Sequence, residues 1–201
     1  MRRAILLAGL VAATAATSAT PSTAAAPKPQ ISDPKGDAIG AQPGADLVSV
    51  TYATTGVGSG RRYVPKKLVV TMTMAGDVIT QPGLTYEVEA MTSACDLVTF
   101  SAQQGSPYSS VTGVNGWAEW GSCAGAGGDI ELITVKAAGN TLTWSFPLKM
   151  IPKDLTVGTT FSDFAARIDP TNPAIPFPSS QTRTKLGLVD AGAGDVTWTL
   201  R

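Results

Sequence analysis

From residue 48 onward, apolar and polar positions alternate with a period of two. Val48, Val50 and Tyr52 alternate with Ser49 and Thr51. Leu68, Val70, Met72 and Met74 alternate with Val69, Thr71 and Thr73, and Leu84, Tyr86, Val88 and Ala90 with Thr85, Glu87 and Glu89. Successive side chains of an extended chain point to opposite faces, so each run predicts a strand with one buried face. Further strands are predicted over Asp96 to Ala102, Asp129 to Ala137, Leu142 to Phe146, Phe161 to Ile168 and Asp195 to Leu200. Ala138-Gly139-Asn140 has the composition of a hairpin turn. In this pattern Trp144 and Trp198 are core residues, and Met72 and Met74 share a core face. No window carries a 3.6-residue stripe; the best candidate, Leu148 to Leu155, is broken by Pro152 and is at most a turn. The chain is therefore expected to be all-β, an antiparallel β-sandwich of about eight to ten strands.

The first 30 residues follow a different rule. Met1-Arg2-Arg3 is a positive start, Ala4 to Ala13 is an apolar run, and small residues continue to Ala26. That order is a secretory signal peptide, and the run falls short of the about 20 residues that cross a bilayer. Cleavage is expected after Ala25. Residues 1–25 are then the signal peptide, 26–30 a Pro-containing flexible leader, and 31–201 a single domain. The expected location is extracellular, with no membrane contact after signal removal.

Composition narrows the chemistry. Without Arg2 and Arg3, 13 basic residues face 15 acidic ones, a net charge of 13 − 15 = −2, so nothing overall attracts nucleic acid. The two cysteines, Cys95 and Cys123, are expected to be bridged in an oxidising compartment, a link worth about 3–4 kcal/mol. The chain contains no His, which removes the usual general base, His-based nucleophile activation and His-containing zinc sites. Gly56, Gly58 and Gly60 lie between strands, not before a helix, so no phosphate loop is indicated. The carboxylates Asp96, Glu119, Asp129 and Asp163 are scattered, and nothing pairs them for glycoside hydrolysis. An enzyme is not expected.

Three constellations remain. The first is the turn Asp33-Pro34-Lys35-Gly36-Asp37, followed through a Gly/Pro loop by Asp46 and the first clean strand. Asp33, Asp37 and Asp46 can face one cation, and calcium accepts such irregular oxygen sets; alternatively Asp33 and Asp37 only cap the turn by bonding its backbone N–H groups. Asp-Pro-x-Gly-Asp, a short loop and then Ala45-Asp46-Leu47-x-x-Val50 resembles the opening of secreted bacterial β-sandwich modules of the family-9-like carbohydrate-binding and DOMON-like type. The resemblance implies a sandwich, a structural calcium site, and binding of sugars or haem in place of catalysis. With no His to ligate haem, sugar is the ligand the resemblance leaves.

The second constellation is Tyr108, Trp117, Glu119 and Trp120, set among glycines and serines. Aromatic faces stack on the C–H faces of pyranose rings, and Glu119 can bond hydroxyls. Trp117 and Trp120 are three apart, so on a strand they point to opposite faces and at least one belongs to the core. The third is Arg61-Arg62-Tyr63-Val64-Pro65-Lys66-Lys67, a cationic run that either docks an anionic wall polymer or is a solvated hairpin guarded by Lys and Pro. A Pro-rich connection over residues 169–185, with Pro170, Pro173, Pro176 and Pro178, is either a crossover or a partner-binding loop. The expected function is a secreted, non-catalytic binding module for a polysaccharide or cell-wall polymer. The alternative is a cell-surface protein-interaction or structural module, and oligomeric state is left open.

Overall fold

The alternating runs become strands that pair side by side. A computed structural model describes residues 27–38, 43–78, 84–94, 96–104, 114–122, 129–150, 156–170 and 190–201. Its strands are β1 (Ile31–Ser32), β2 (Leu47–Val57), β3 (Val64–Met74), β4 (Leu84–Thr92), β5 (Asp96–Gln104) and β6 (Val114–Ser122), followed by β7 (Asp129–Ala138), β8 (Thr141–Pro147), β9 (Thr160–Pro170), β10 (Asp190–Gly194) and β11 (Trp198–Thr199). The sheet order is β1-β2-β3-β8-β7-β6-β5-β4-β9-β10, with β11 also pairing β9. Among the described residues the remaining elements are short 3-10 turns, including Leu148–Met150 where the broken helix candidate begins.

The expected antiparallel all-β architecture is what the chain adopts, as one sheet curled into a half-barrel. β7 is the bend that joins its two flanks. Its first half, from Asp129 to Ile133, pairs β6, and its second half, from Thr134 to Ala138, pairs β8. The Ala138-Gly139-Asn140 turn forms as the sequence predicts. Gly139 takes φ +56°, a left-handed conformation that costs glycine little, and the Asn140 side-chain amide donates to the Met74 carbonyl at 2.9 Å.

Curling brings β10 against β1. The sequence Ala191-Gly192-Ala193-Gly194 makes this approach possible. A Cβ on Gly194 would lie 1.9 Å from the Gln30 carbonyl oxygen, and one on Gly192 would lie 2.8 Å from an Ile31 methyl. Ile31 is fully buried at this seam.

The core fills the hollow of the curl. Val50, Tyr52, Leu68, Val70, Met72 and Met74, with Trp144 and Phe146 beside them on β8, face Val88, Val98, Phe100, Phe161, Phe164 and Ile168. Phe161 and Phe164 are three apart, yet both are buried. A bulge in the β4–β9 pairing between Glu89 and Met91 reconciles them. Asp163 sits there with φ +49° and exposed, so the strand changes phase between the two rings.

Cys95 and Cys123, expected to be bridged, lie outside the described residues. Residues 1–25, expected to be a signal peptide, Tyr108 and residues 171–185 of the Pro-rich connection also lie outside them.

The bulge generates a test that separates backbone from contacts. Asp163→Val forces a β-branched residue into the left-handed region and should lower unfolding free energy by about 1–3 kcal/mol. Asp163→Gly should be neutral or stabilising in the same denaturant titration. Equal effects of the two variants would remove the conformational explanation.

Candidate functional site

The acidic turn is built as a clasp. The Gly36 N–H donates to Asp46 Oδ2 at 2.7 Å, and the Asp33 N–H donates to the Val48 carbonyl at 2.9 Å. Asp46 is buried, Asp37 is exposed and Asp33 lies between. The Tyr86 hydroxyl donates to the Gly44 carbonyl at 3.0 Å, pinning the loop that carries Asp46. Asp46 Oδ1 is buried with no hydrogen-bond partner among the described residues. Among the described residues no group of three or more His, Cys, Asp or Glu side chains is assembled as a metal ion requires. The carboxylate shown bonding the turn's backbone is that of Asp46.

The tryptophan constellation is taken apart by β6. Trp117 and Trp120 do point to opposite faces, and both are buried, at 5% and 6% exposure. Trp120 stacks in the core, 5.2 Å from Phe146 and 6.2 Å from Phe100, while its indole N–H has no partner among the described residues. Glu119 faces away from the core on the same face as Trp117. These residues form no exposed aromatic platform.

The outer face of the β5–β4–β9 flank carries a polar network that the sequence did not signal. Glu87 and Arg167 are cross-strand partners. Arg167 Nε donates to Glu87 Oε1 at 2.7 Å and its Nη2 to Glu89. The Ser101 hydroxyl donates to Glu87 Oε2 at 3.1 Å, and Glu87 is only 1% exposed. Asp169 lies 3.9 Å from Arg167 Nε. Burial, reinforced by Glu89, raises its carboxyl above the ordinary carboxylate range, and Arg167 only partly offsets this. A cavity of about 370 Å³ adjoins the network, walled by Glu89, Arg167, Ala165, Ala191, Gly192 and Ala193. Arg167 Nε and Nη2 are engaged by two glutamates, and Ala165, Ala191 and Ala193 give much of the rest of the wall methyl groups.

A second cavity, of about 440 Å³, opens where β11, β2 and the segment before β1 meet. Trp198 lines it with Thr54, Thr197, Thr199 and Gln30, and Lys28 and Arg201 complete the wall. Trp198 was expected in the core. It is the one tryptophan of four that is half-buried. One side of its indole packs on the core, 5.4 Å from Phe161 and 5.9 Å from Tyr52. β11 has only two residues and, among the described residues, pairs only β9, and Trp198 stays partly exposed there. Gln30 is fixed in place: its N–H donates to the Val50 carbonyl at 2.8 Å and its side-chain oxygen accepts from the Tyr52 N–H. The threonines belong to this site because Thr54, two residues past buried Tyr52, follows that ring toward the open end of the curl.

Comparison with family models, curated proteins and solved structures finds no match to this chain. Sequence alternation alone could not have found the groove, because it assigns Trp198 and Tyr52 to the same inner face. The signal that marks it is the shortness of the final strand and its threonine-tryptophan-threonine run.

For the acidic turn, Asp46→Ala removes the acceptor of the Gly36 N–H, which is on an exposed residue, and should lower stability by about 0.5–1.5 kcal/mol. The melting temperature of the unaltered protein should not change on chelation. A calcium-dependent melting temperature that Asp46→Ala abolishes would show a cation site instead.

Proposed function

We propose that the protein is a secreted, non-catalytic, disulfide-bridged binding module whose ligand is a carbohydrate, taken up in the Trp198 groove. The observation that carries this proposal is the half-buried Trp198 indole among Thr54, Thr197, Thr199 and Gln30. A sugar ring needs an apolar face for its C–H groups and hydroxyl or amide groups for its edge. Both are present within one groove. The resemblance of the opening motif to carbohydrate-binding modules agrees with this choice, although the aromatic residue is not one of the pair expected from the sequence.

Two further observations support binding over catalysis. No carboxylate side chain lines the Trp198 groove among the described residues. Glu87 and Glu89, the closest approach to a paired-carboxylate site, are spent on Arg167, so neither is placed as a free acid or base.

Titration of the protein with soluble polysaccharides should change its tryptophan fluorescence. Trp198→Ala should weaken retention on the same immobilised polymer by about tenfold or more, the scale of losing one stacking contact with its surroundings. Trp117→Phe should leave retention unchanged. If Trp198→Ala binds every polymer as the parent does, the groove is not the site.

A further inference from the structure

The hairpin that joins β2 to β3 is longer than the sheet it belongs to. β2 and β3 stay paired as far as Val57 opposite Val64. On one side, β8 ends with Pro147 opposite Lys67. On the other, β1 reaches only Val50. Beyond those rungs the two strands continue as a free arm.

The arm is cationic throughout. Arg61 and Arg62 sit exposed in the 3-10 turn Gly60–Arg62, and Lys66 and Lys67 are exposed near its root. No Asp or Glu occurs from Leu47 to Gly76. Arg167 forms ion pairs among the described residues, whereas none of these four cations is paired with a described carboxylate. Val57 and Val64, directly paired across the ladder, are 59% and 46% exposed. They place apolar surface between the two pairs of cations.

The arm and the Trp198 groove are physically joined. The Tyr63 hydroxyl donates to Thr54 Oγ1 at 3.3 Å, and the Thr54 hydroxyl donates to the Arg201 carbonyl at 2.7 Å. Thr54 and Arg201 both line the groove. A chain that leaves the groove past Thr54 therefore meets the root of the arm, with Lys28 and Arg201 behind it and the four arm cations ahead.

We propose that groove and arm form one continuous site for an acidic polysaccharide of the polyuronate type. This rests on the carbohydrate reading of the groove and names the class of sugar. A uronate unit carries a pyranose face and a carboxylate together, which suits an indole and threonines followed by arginines and lysines. The guanidinium of an arginine matches a carboxylate in two parallel hydrogen bonds. The valine pair meets the C–H faces of the rings that follow. A protein with net charge near −2 after export has no general attraction for such a polymer, so the contact is set by this end of the molecule alone.

The test compares polygalacturonate with its fully methyl-esterified, uncharged form, using calorimetry and tryptophan fluorescence at low and high salt. The variant is Arg61→Gln, Arg62→Gln, Lys66→Gln, Lys67→Gln, four exposed positions, with circular dichroism as the check on folding. The acidic polymer should bind the parent protein about tenfold or more tightly than the ester at low salt, with the difference lost at about 1 M salt. The variant should bind both polymers equally, at the level of the ester. Equal binding of both polymers by the parent protein overturns the polyuronate inference and leaves the sugar-binding groove standing. Failure of either polymer to bind overturns both. Vesicles of phosphatidylglycerol, or a sugar-free polyphosphate, bound as tightly as polygalacturonate also overturn it, because charge alone would then explain the arm.

Discussion

The ring of Tyr52 is the contact on which the curl depends. It projects from β2 on one flank and meets Phe164 at 4.8 Å, Phe161 at 6.0 Å and Phe100 at 6.3 Å, all from the other flank. Trp198 of β11 closes the group at 5.9 Å. Buried aromatic side chains each remove on the order of 150–250 Å² from water, and pairs at these separations add to that burial. The cluster carries a cost as well. Among the described residues the Tyr52 hydroxyl is buried without a hydrogen-bond partner, a loss of about 1–3 kcal/mol. Burial, helped by the charge of Glu89, raises its pKa well beyond that of a free phenol, so the hydroxyl stays protonated.

That cluster also explains why the groove lies where it does. Its inner members are sealed by the sheet, and its last member, Trp198, stands on a strand of two residues at the open end of the curl. An aromatic surface that belongs to the core is thereby shown to solvent, framed by threonines and by the clamped Gln30. The outer face follows the opposite logic. There, Glu87, Ser101 and Arg167 satisfy one another across three strands, which holds a polar face together without leaving ligand-binding groups free. The acidic turn is a third solution, in which Asp46 bonds the backbone of the turn that precedes β2.

Most strands were legible because a half-buried strand writes its inner face into every second residue. β3, β4 and β8 do this without interruption, whereas β2 shifts register between Leu47 and Ser49, so that Leu47 and Val50 are both buried. β6 did not, because its inner face is Gly116, Ala118 and Trp120, where small residues hide the alternation. A Cβ on Gly116 would strike the Val135 side chain at 1.8 Å, so the glycine is required by a neighbour distant in sequence. β10 is hidden for the same reason, its glycines being set by the approach of β1. The β9 bulge at Asp163 reverses a phase that a period-two pattern extends unbroken. The site was less legible than the fold. Alternation correctly separated Trp117 from Trp120, but it cannot say which strand end lacks a covering neighbour. That property belongs to the whole sheet, and it distinguishes Trp198 from Trp144, whose indole N–H donates to the Ser101 carbonyl in the interior.

The central claim is that Trp198 alone among the four tryptophans presents its ring to solvent, and acrylamide quenching of fluorescence measures this without any ligand. One quenchable component should be present in the unaltered protein and absent in Trp198→Phe, with the emission of the remaining three tryptophans blue-shifted and protected. Persistence of the quenchable component in Trp198→Phe, with its loss in Trp117→Phe, would contradict the account.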